Sequence, residues 1–269
     1  MEEDKLTEKE LGKWIRGQWA GRIIDYQDTV DSTNERAKTL ASSGCPHGTL
    51  VTADAQEAGK GRRGRVWKSP KGTAVYMSLV LRPDLPPSSA SMVTLVAALA
   101  AAEGVRKVAG TECKIKWPND LVMGKKKMCG ILTEMRAGLD NIQYVIIGTG
   151  INTSQDEFPP ELSDTATSIL LETGRKVNRC QLAAAVMEAF EEYYDRYEQV
   201  GNMSLLMEEY NSRLAGIDSP VRVLAPEGDY TGISRGIDEE GRLMVETETG
   251  EMQAVVSGEV SVRGLYGYV

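Results

Sequence analysis

The residues best suited to chemistry are concentrated in one basic, glycine-rich segment. Between Gly59 and Lys71 the chain carries six lysines and arginines and no acidic residue, a local charge of +6. Glycines let a backbone approach a ligand closely, and guanidinium groups donate paired hydrogen bonds to phosphate or carboxylate oxygens. The segment therefore predicts an anion-binding loop that orders when an anionic ligand binds. A solvated basic loop or a nucleic-acid-binding arm is the alternative explanation.

Two standard phosphate-binding motifs match this loop only in part. Gly59–Gly64 has the spacing G-x-G-x-x-G of dinucleotide-binding proteins, but the residues that follow, through Pro70, do not begin the helix which that motif requires. The same glycines have the P-loop spacing, but Arg65 and Val66 occupy the positions where a P-loop needs Lys and Ser or Thr. The anion site must therefore have a different loop geometry.

A second basic segment offers more specific chemistry. Residues 114–127 carry a net charge of +4. Within them, Pro118 restrains the backbone before Asn119, whose amide can bond a phosphate oxygen, and Asp120, whose carboxylate can hold Mg²⁺. Lys127 then begins an apolar strand, which places an ammonium group at the mouth of an apolar pocket. The alternative for the three lysines at 125–127 is a solvated hairpin tip.

Composition restricts the classes of protein that these segments can belong to. The 269 residues have a formal charge of −8, so everything outside the two basic segments sums to −18. Such localised positive charge predicts a local polyanion site and argues against a surface that coats nucleic acid. The sequence shows neither a signal-peptide core nor an apolar run long enough for a membrane helix, and we expect a cytosolic protein without a membrane partner.

The cysteines and the single histidine exclude further kinds of site. The four cysteines have no C-x-x-C spacing, which argues against a structural zinc ion. A Ser/His/Asp triad could use only His47, which lies in a turn sequence and is expected to be a solvated loop residue. Cys129, beside the predicted pocket, could be a nucleophile, but a small buried residue that fills space is the favoured interpretation.

Periodicity and turn residues predict the elements that position these side chains. They indicate an α+β fold with a mixed β-sheet flanked by helices over residues 1–215 and a small β-barrel over residues 216–269. Helices are predicted over 6–19, 32–43, 86–108, 181–199 and 204–214. Strands are predicted over 22–26, 49–53, 73–81, two short stretches within 114–123, 127–135, 143–150, 220–224, 228–238, 242–248 and 252–257.

Four segments occur in an order that carries a family resemblance. They are Gly59–Pro70, Lys116–Asp120, Lys127–Glu134 and Gly148–Asn152. Together they resemble the signature of biotin protein ligases, and the resemblance runs from about Ile23 to the C-terminus. It implies a catalytic domain like that of class II synthetases and biotin ligases, followed by a small SH3-like β-barrel.

The resemblance also implies a reaction and its partners. A biotin–[biotin carboxyl-carrier protein] ligase uses ATP and Mg²⁺ to convert biotin to biotinyl-5′-AMP. It then transfers the biotinyl group to a lysine of a biotin carboxyl carrier protein or domain, such as that of acetyl-CoA carboxylase. Members of the family are monomers or dimers that associate through a sheet edge, so a homodimer remains open.

The resemblance further implies the site residues. Lys127, bridging the biotin carboxylate and the α-phosphate, and Arg62 are the expected catalytic residues. Asp120 is expected to serve Mg²⁺, directly or through water. The expected biotin-binding residues are Ser32, Thr33, Asn34, Gln56, Gly59, Arg62, Lys127 and Gly130. The expected ATP-binding residues are Arg62, Arg63, Arg65, Trp67, Asn119, Lys127 and Asn152.

The local sequence also predicts a structural role for Ser32. Ser32 followed by Glu35 has the pattern of a capping box, which predicts Ser32 as a helix N-cap in addition to its ligand role.

Two features depart from the family pattern. Bifunctional members carry a helix-turn-helix domain of about 60 residues or more. Only about 22 residues precede the first predicted strand here, so we expect a ligase that does not bind an operator. Lys60 replaces the commoner Arg, which keeps the charge but loses the paired donors.

Two other functions remain as alternatives. A lipoate-type ligase or acyltransferase of related fold would use similar acyl-transfer chemistry. A nucleic-acid-binding module would use the arginines of the loop without ATP.

Overall fold

A seven-stranded mixed sheet forms the larger part of the fold. The computed structural model describes residues 4–138, 141–225, 228–257 and 261–264. The strands of this sheet are β1 (Ile23–Val30), β2 (Thr49–Gln56), β3 (Ala74–Leu81), β4 (Lys114–Lys116), β5 (Asp120–Met123), β6 (Lys126–Ala137) and β7 (Ile142–Asn152). Their order is β1-β2-β3-β7-β6-β5-β4, with β1 and β2 parallel and the other neighbours antiparallel.

Helices cover both faces of this sheet. They are α1 (Glu8–Gly12), α2 (Thr33–Ser42), α3 (Val93–Ala109), α4 (Ile169–Thr173), α5 (Arg179–Val200) and α6 (Met207–Arg213). On β3, Leu79 and Leu81 belong to the core formed with α3 and α5, whereas Val80 packs with Ala37 and Ala41 of α2. Because side chains alternate along a strand, β3 is buried on both faces, and its sequence is apolar except for Ser78.

One helical stretch has the length and apolar composition of a membrane span. It runs from Pro87 through the whole of α3 to Ala109. Within its most apolar window, 83% of the residues are buried inside the fold. Burial inside the fold therefore explains the apolar composition of this stretch, because a helix at the centre of a protein core is apolar on all sides.

A second, smaller sheet lies at the C-terminal end. Its strands are β8 (Pro220–Leu224), β9 (Tyr230–Ile237), β10 (Leu243–Thr247), β11 (Met252–Val255) and β12 (Ser261–Gly264), antiparallel in the order β11-β10-β9-β8-β12. Trp117 Nε1 donates to the carbonyl of Gly241 at 3.0 Å, which fastens this sheet to the larger one. The predicted fold class, a mixed sheet flanked by helices with a small appended β domain, is confirmed.

Several local predictions need correction. The predicted helix over 6–19 shortens to α1, which ends at Gly12. Farther along, the Glu191 carboxylate accepts backbone hydrogen bonds from Gln18, Trp19 and Ala20 and holds these residues in an irregular turn. Two elements, α4 and β12, were not predicted. The prediction of a solvated His47 is wrong: its ring packs edge-on against Trp19 at 4.5 Å.

Candidate active site

Two neighbouring cavities lie on the sheet beneath the basic loop. The inner chamber, with about 450 Å³ of empty space including its open mouth, lies at the start of α2 and over the middle of β6 and β7. The outer chamber, with about 1320 Å³ of empty space including its open mouth, lies between the basic loop, the β4–β5 connection and the segment that follows β7. Five residues line both chambers: Gly61, Arg62, Trp67, Asn119 and Lys127.

The basic loop is folded as a short hairpin. Trp67 N donates to the carbonyl of Gly59 at 2.8 Å, and Gly61 N donates to the carbonyl of Arg65 at 2.7 Å. At the tip, Arg63 has a left-handed backbone with φ 57°. The hairpin directs three arginines to the outer chamber, and Arg62 to the inner one as well. Gly59 is buried in the stem and lies on neither chamber wall, so the structure does not bring this predicted biotin contact to the site.

The polar end of the inner chamber is built from α2 and β2. Ser32, Thr33, Asn34 and Gln56 all line it, as predicted for the biotin-binding set. Gln56 Oε1 accepts hydrogen bonds from Thr33 N at 2.9 Å and from Thr33 Oγ1 at 3.1 Å. Ser78 Oγ lies 2.8 Å from Thr33 Oγ1 and 2.6 Å from Asn34 Oδ1. These side chains are thus held in place by one another.

Ser32 does not form the predicted capping box. It occupies the N-cap position of α2 with extended backbone angles, but its side chain makes no capping hydrogen bond. Gln56, from the neighbouring strand, accepts the Thr33 amide hydrogen instead. Glu35 contacts lysines rather than the Ser32 backbone. The Ser32 hydroxyl is therefore on the chamber wall without a capping role, because a tertiary contact has replaced the local one.

A row of charged and amide side chains separates the inner from the outer chamber. Lys127 Nζ lies 2.6 Å from Asp120 Oδ1. Asn119 Nδ2 donates to the same Asp120 oxygen at 3.0 Å, and Asn119 Oδ1 accepts from Arg62 at 2.7 Å. Burial lowers the pKa of the Arg62 guanidinium below its usual value, which still leaves it protonated at neutral pH. Arg62 is thus held by the Asn119 amide oxygen and Lys127 by the Asp120 carboxylate, and both cations lie on the wall common to the two chambers.

Backbone pairing explains the position of Lys127. A β-bulge between Leu121 and Val122 shifts the register of β5 against β6. On the other side, Lys127 N donates to the carbonyl of Thr165 at 2.7 Å, and the Lys127 carbonyl accepts from Thr167 N at 2.9 Å. The residue is therefore clamped from both sides, and the hairpin-tip alternative does not apply to it. Lys126 instead reaches out of the site to the carbonyl of Ser163.

Trp67 forms the wall between the two chambers. Its ring lies so close to β6 and β7 that a Cβ on Gly130 or Gly150 would come within 2.8 Å of it. Lys127 Nζ lies 5.2 Å from the ring centroid, within the range of a cation–π contact. The buried indole N–H has no hydrogen-bond partner among the described residues. Glycines at these two strand positions are what allow the indole to lie flat on the sheet.

The outer chamber contains all seven residues of the predicted ATP-binding set. Asn152 is buried there and donates to the carbonyl of Thr167 at 3.0 Å.

Sequence reasoning missed an apolar portion of the wall of the outer chamber, which includes Phe158 and Leu162. They follow β7 in an irregular segment, where no periodicity distinguishes an inward from an outward side chain. Tyr76, Leu132 and Thr149 of the inner chamber were missed because buried strand residues look alike in sequence.

Cys129 is a buried residue that fills space. It is fully buried, and burial raises the pKa of its thiol well above the usual value. The reactive species of cysteine is the thiolate, which such an environment disfavours. The favoured interpretation is confirmed, and the nucleophile alternative is not supported.

Few carboxylates are available at the site to hold a magnesium ion. Within residues 4–138, 141–225, 228–257 and 261–264, no cluster of three or more His, Cys, Asp and Glu side chains could enclose a metal. Asp120 is the carboxylate beside Lys127. Mg²⁺ commonly binds through one or two carboxylates together with substrate phosphates and water. The site therefore fits an ion that arrives with a nucleotide, and Asp120 is the residue that would meet it.

The chain matches two family models. A model described as the biotin/lipoate A/B protein ligase family matches residues 26–152. A second, described as the biotin protein ligase C terminal domain, matches residues 216–263.

Named relatives and solved structures agree with these matches. The bifunctional ligase/repressor BirA of Bacillus subtilis is 40% identical over 262 residues, which cover 96% of this chain and 79% of the relative. The biotin–[acetyl-CoA-carboxylase] ligase of Mycobacterium tuberculosis is 31% identical, with 95% of each chain covered. Biotin protein ligase from Aquifex aeolicus, solved with biotin and ATP, has a TM-score of 0.79 at 30% identity and covers 90% of this chain and 99% of that one.

Proposed function

The chain belongs to the biotin/lipoate A/B protein ligase family, and on this premise we propose that it is a biotin protein ligase. In the first step, a carboxylate oxygen of biotin bonds to the α-phosphorus of ATP. The bond between that phosphorus and the oxygen bridging it to the β-phosphate breaks, and pyrophosphate leaves. In the second, a lysine amine of the acceptor attacks the acyl carbonyl, AMP leaves and the amine loses a proton. The observation that carries the proposal is the position of Lys127 and Arg62 on the wall common to both chambers.

The first step brings two anions together, so the site must offset their repulsion. Lys127 would bridge the biotin carboxylate in the inner chamber and the α-phosphate in the outer one. Arg62 adds a second cation at the same junction and stabilises the charge that develops on the phosphate. Asn119 and Asp120 hold these cations in position before either substrate binds. Fixed cations need no reorganisation during the reaction, which is why their effect on the rate is large.

The inner chamber suits the polar head of biotin. We assign Ser32, Thr33, Asn34 and Gln56 to the ureido group, because the start of α2 offers backbone and side-chain donors to an oxygen. Gly130, which has no side chain, lets Trp67 and Lys127 lie against β6 at the chamber wall, where they would contact the acyl chain.

The outer chamber suits ATP. Arg63, Arg65 and Arg62 would bind the phosphates, while Trp67 and Asn152 would contact adenine. Mg²⁺, held through Asp120, would neutralise phosphate charge when bound. Asn119 already uses its amide for Arg62 and Asp120, so its main contribution is to orient these two groups.

The acceptor is a carrier protein or domain of a biotin-dependent carboxylase. Acetyl-CoA carboxylase is the acceptor that the names of two relatives specify, and we propose the same acceptor here. We also place the reaction in the cytoplasm. The four cysteines are free thiols, which is usual for cytosolic proteins.

ATP–pyrophosphate exchange is the experiment that tests this function. Exchange should require biotin, because pyrophosphate returns only to an enzyme that has formed the adenylate. The assay is run with biotin, with lipoate and with neither. Exchange supported by lipoate but not by biotin would identify a lipoate-type ligase, the alternative that the shared family description includes. For a nucleic-acid-binding module, exchange would be absent and DNA affinity would fall steeply with salt.

A substitution of Gly148 should weaken biotin binding without removing any predicted ligand. A Cβ at this position would lie 2.1 Å from Asn34 Oδ1. Asn34 must therefore move, and we expect Gly148→Ala to lower biotin affinity by about tenfold or more, roughly 1.4 kcal/mol. Isothermal titration with biotin alone measures this. Gly12→Ala is the matched control, since a Cβ there meets nothing within 4 Å. Equal affinities for the two variants would contradict the assignment of Asn34.

A further inference from the structure

An acidic side chain of α2 contacts the basic loop. Glu35 lies in the first turn of α2, directly after the segment 32–34 that we assign to the biotin head group. Its Oε1 accepts hydrogen bonds from Lys60 Nζ at 2.6 Å and from Lys38 Nζ at 2.9 Å. Lys60 belongs to the stem of the loop hairpin, where it pairs with Val66. Glu35 therefore joins the loop to the helix that carries one end of the inner chamber.

The same ionic network continues into the chamber wall. Lys38 Nζ also donates to Glu134 Oε1 at 2.7 Å, and Glu134 Oε2 accepts from Asn34 Nδ2 at 2.8 Å. The hydrogen bonds from the two lysines lower the pKa of Glu35, so its carboxyl group is ionised at neutral pH. An unbroken series of charge-assisted hydrogen bonds thus runs from Lys60 in the loop to Asn34 in the chamber.

The position and strength of the Lys60–Glu35 pair suit a contact that closes and opens. The loop carries a charge of +6, and Glu35 places a negative charge against its stem. Both side chains are about half exposed, at 50% and 42%. An exposed pair changes an equilibrium by about fivefold at most. Such a contact favours the closed loop measurably, yet it can break whenever substrate must enter or product must leave.

We infer that Glu35 is a positioning residue that holds the basic loop closed through Lys60 and so slows the escape of the acyl-adenylate before transfer. The inference rests on the proposed function, because the adenylate is the intermediate of that reaction. Glu35 lines neither chamber and acts through Lys60, which lies on the wall of the inner one. Lysine at position 60 suits this role, since an ammonium group binds a single carboxylate oxygen without the paired geometry that arginine requires.

Release of the adenylate tests the inference directly. Each enzyme forms adenylate from labelled biotin and ATP, an excess of unlabelled biotin is added, and loss of the bound label is followed with time. We expect Glu35→Gln and Lys60→Met each to release the adenylate about three to five times faster than the unmodified enzyme. The double variant should be no faster than either single one, because both substitutions remove the same contact.

Asp28→Asn is the matched control. Asp28 forms an exposed ion pair with Lys71 at the other end of the loop and has no contact with the α2 network. Its substitution should leave release unchanged, and thermal unfolding should show that all variants fold alike. A purely structural role for Glu35 would alter unfolding and would not produce non-additive release rates.

The outcomes separate this inference from the proposed function. Adenylate formation with unchanged release in Glu35→Gln would overturn the inference alone. So would multiplicative effects in the double variant, or an equal effect of Asp28→Asn. If the unmodified protein forms no adenylate from biotin and ATP, the proposed function is overturned, and the inference with it.

Discussion

Lys127→Ala should reduce the rate of adenylate formation by about 100- to 1000-fold, the range typical for loss of one group that stabilises developing charge. The ammonium group lies at the junction of the chambers, 2.6 Å from Asp120 and against the Trp67 ring. Its removal leaves the biotin carboxylate and the α-phosphate to repel each other, and it takes away the cation that lies beside the Asp120 carboxylate. Biotin-dependent ATP–pyrophosphate exchange at saturating substrates measures the effect.

The neighbouring lysine provides the control. Lys126 has the same charge and lies on the same strand, but it reaches the Ser163 carbonyl at the surface. Lys126→Ala should therefore retain nearly full exchange activity. Circular dichroism of both variants should match that of the unmodified protein. If Lys127→Ala exchanges at the normal rate, the role assigned to this residue is wrong.

Arg62→Gly should produce the second large effect, an escape of adenylate that labels proteins without specificity. Arg62 lines both chambers and binds Asn119 at 2.7 Å, so it ties the tip of the basic loop to the β4–β5 connection. Glycine removes this tie and also removes a cation from the phosphate site. We expect adenylate release to accelerate by about tenfold or more, because the lost contact is a partly buried, charge-assisted hydrogen bond.

Labelling of an unrelated protein is the sensitive measurement. Serum albumin is incubated with enzyme, biotin and ATP, and biotin attached to its lysines is quantified with streptavidin. Lys71→Ala is the control, since Lys71 is a cation of the same loop but forms only an exposed pair with Asp28. Labelling by Arg62→Gly at the level of the Lys71→Ala control would contradict the proposed tie. Loss of all labelling together with loss of exchange would instead show that Arg62 is needed for synthesis.

The chemistry of the site could be predicted from sequence because it depends on local properties. Charge density, glycine spacing and the Pro-Asn-Asp run are properties of short segments. They predict the loop at 59–71 and the segment at 114–127 as anion sites. The structure places both segments on the outer chamber. The largely apolar β3 and α3 were predictable for a similar reason, since the burial of most of their side chains appears directly as local hydrophobicity.

Two of the failures involve a distant residue that binds where a local partner was predicted. Ser32 was predicted to cap its own helix, but Gln56 from β2 accepts the amide hydrogen of the first turn. The end of the predicted first helix is instead an irregular turn bound by Glu191, more than 170 residues away in sequence. These interactions depend on strand register and helix packing, which local patterns do not encode. Phe158 and Leu162 were missed for another reason, because they line the outer chamber from an irregular segment that has no periodicity.

The sequence by itself therefore determined which residues carry the charge and which family the chain resembles. It also determined that a positive site of +10 lies on an acidic scaffold of −18. Only the tertiary structure decided how these charges are used. It places Lys127 and Arg62 on the wall common to both chambers and bonds Asn119 to Arg62. It also pairs Lys127 with Asp120 and Lys60 with Glu35, and it leaves Gly59 off the chamber wall. The reason is that electrostatic interactions depend on distances of a few ångströms, and those distances are set by the pairing of strands that are far apart in the chain.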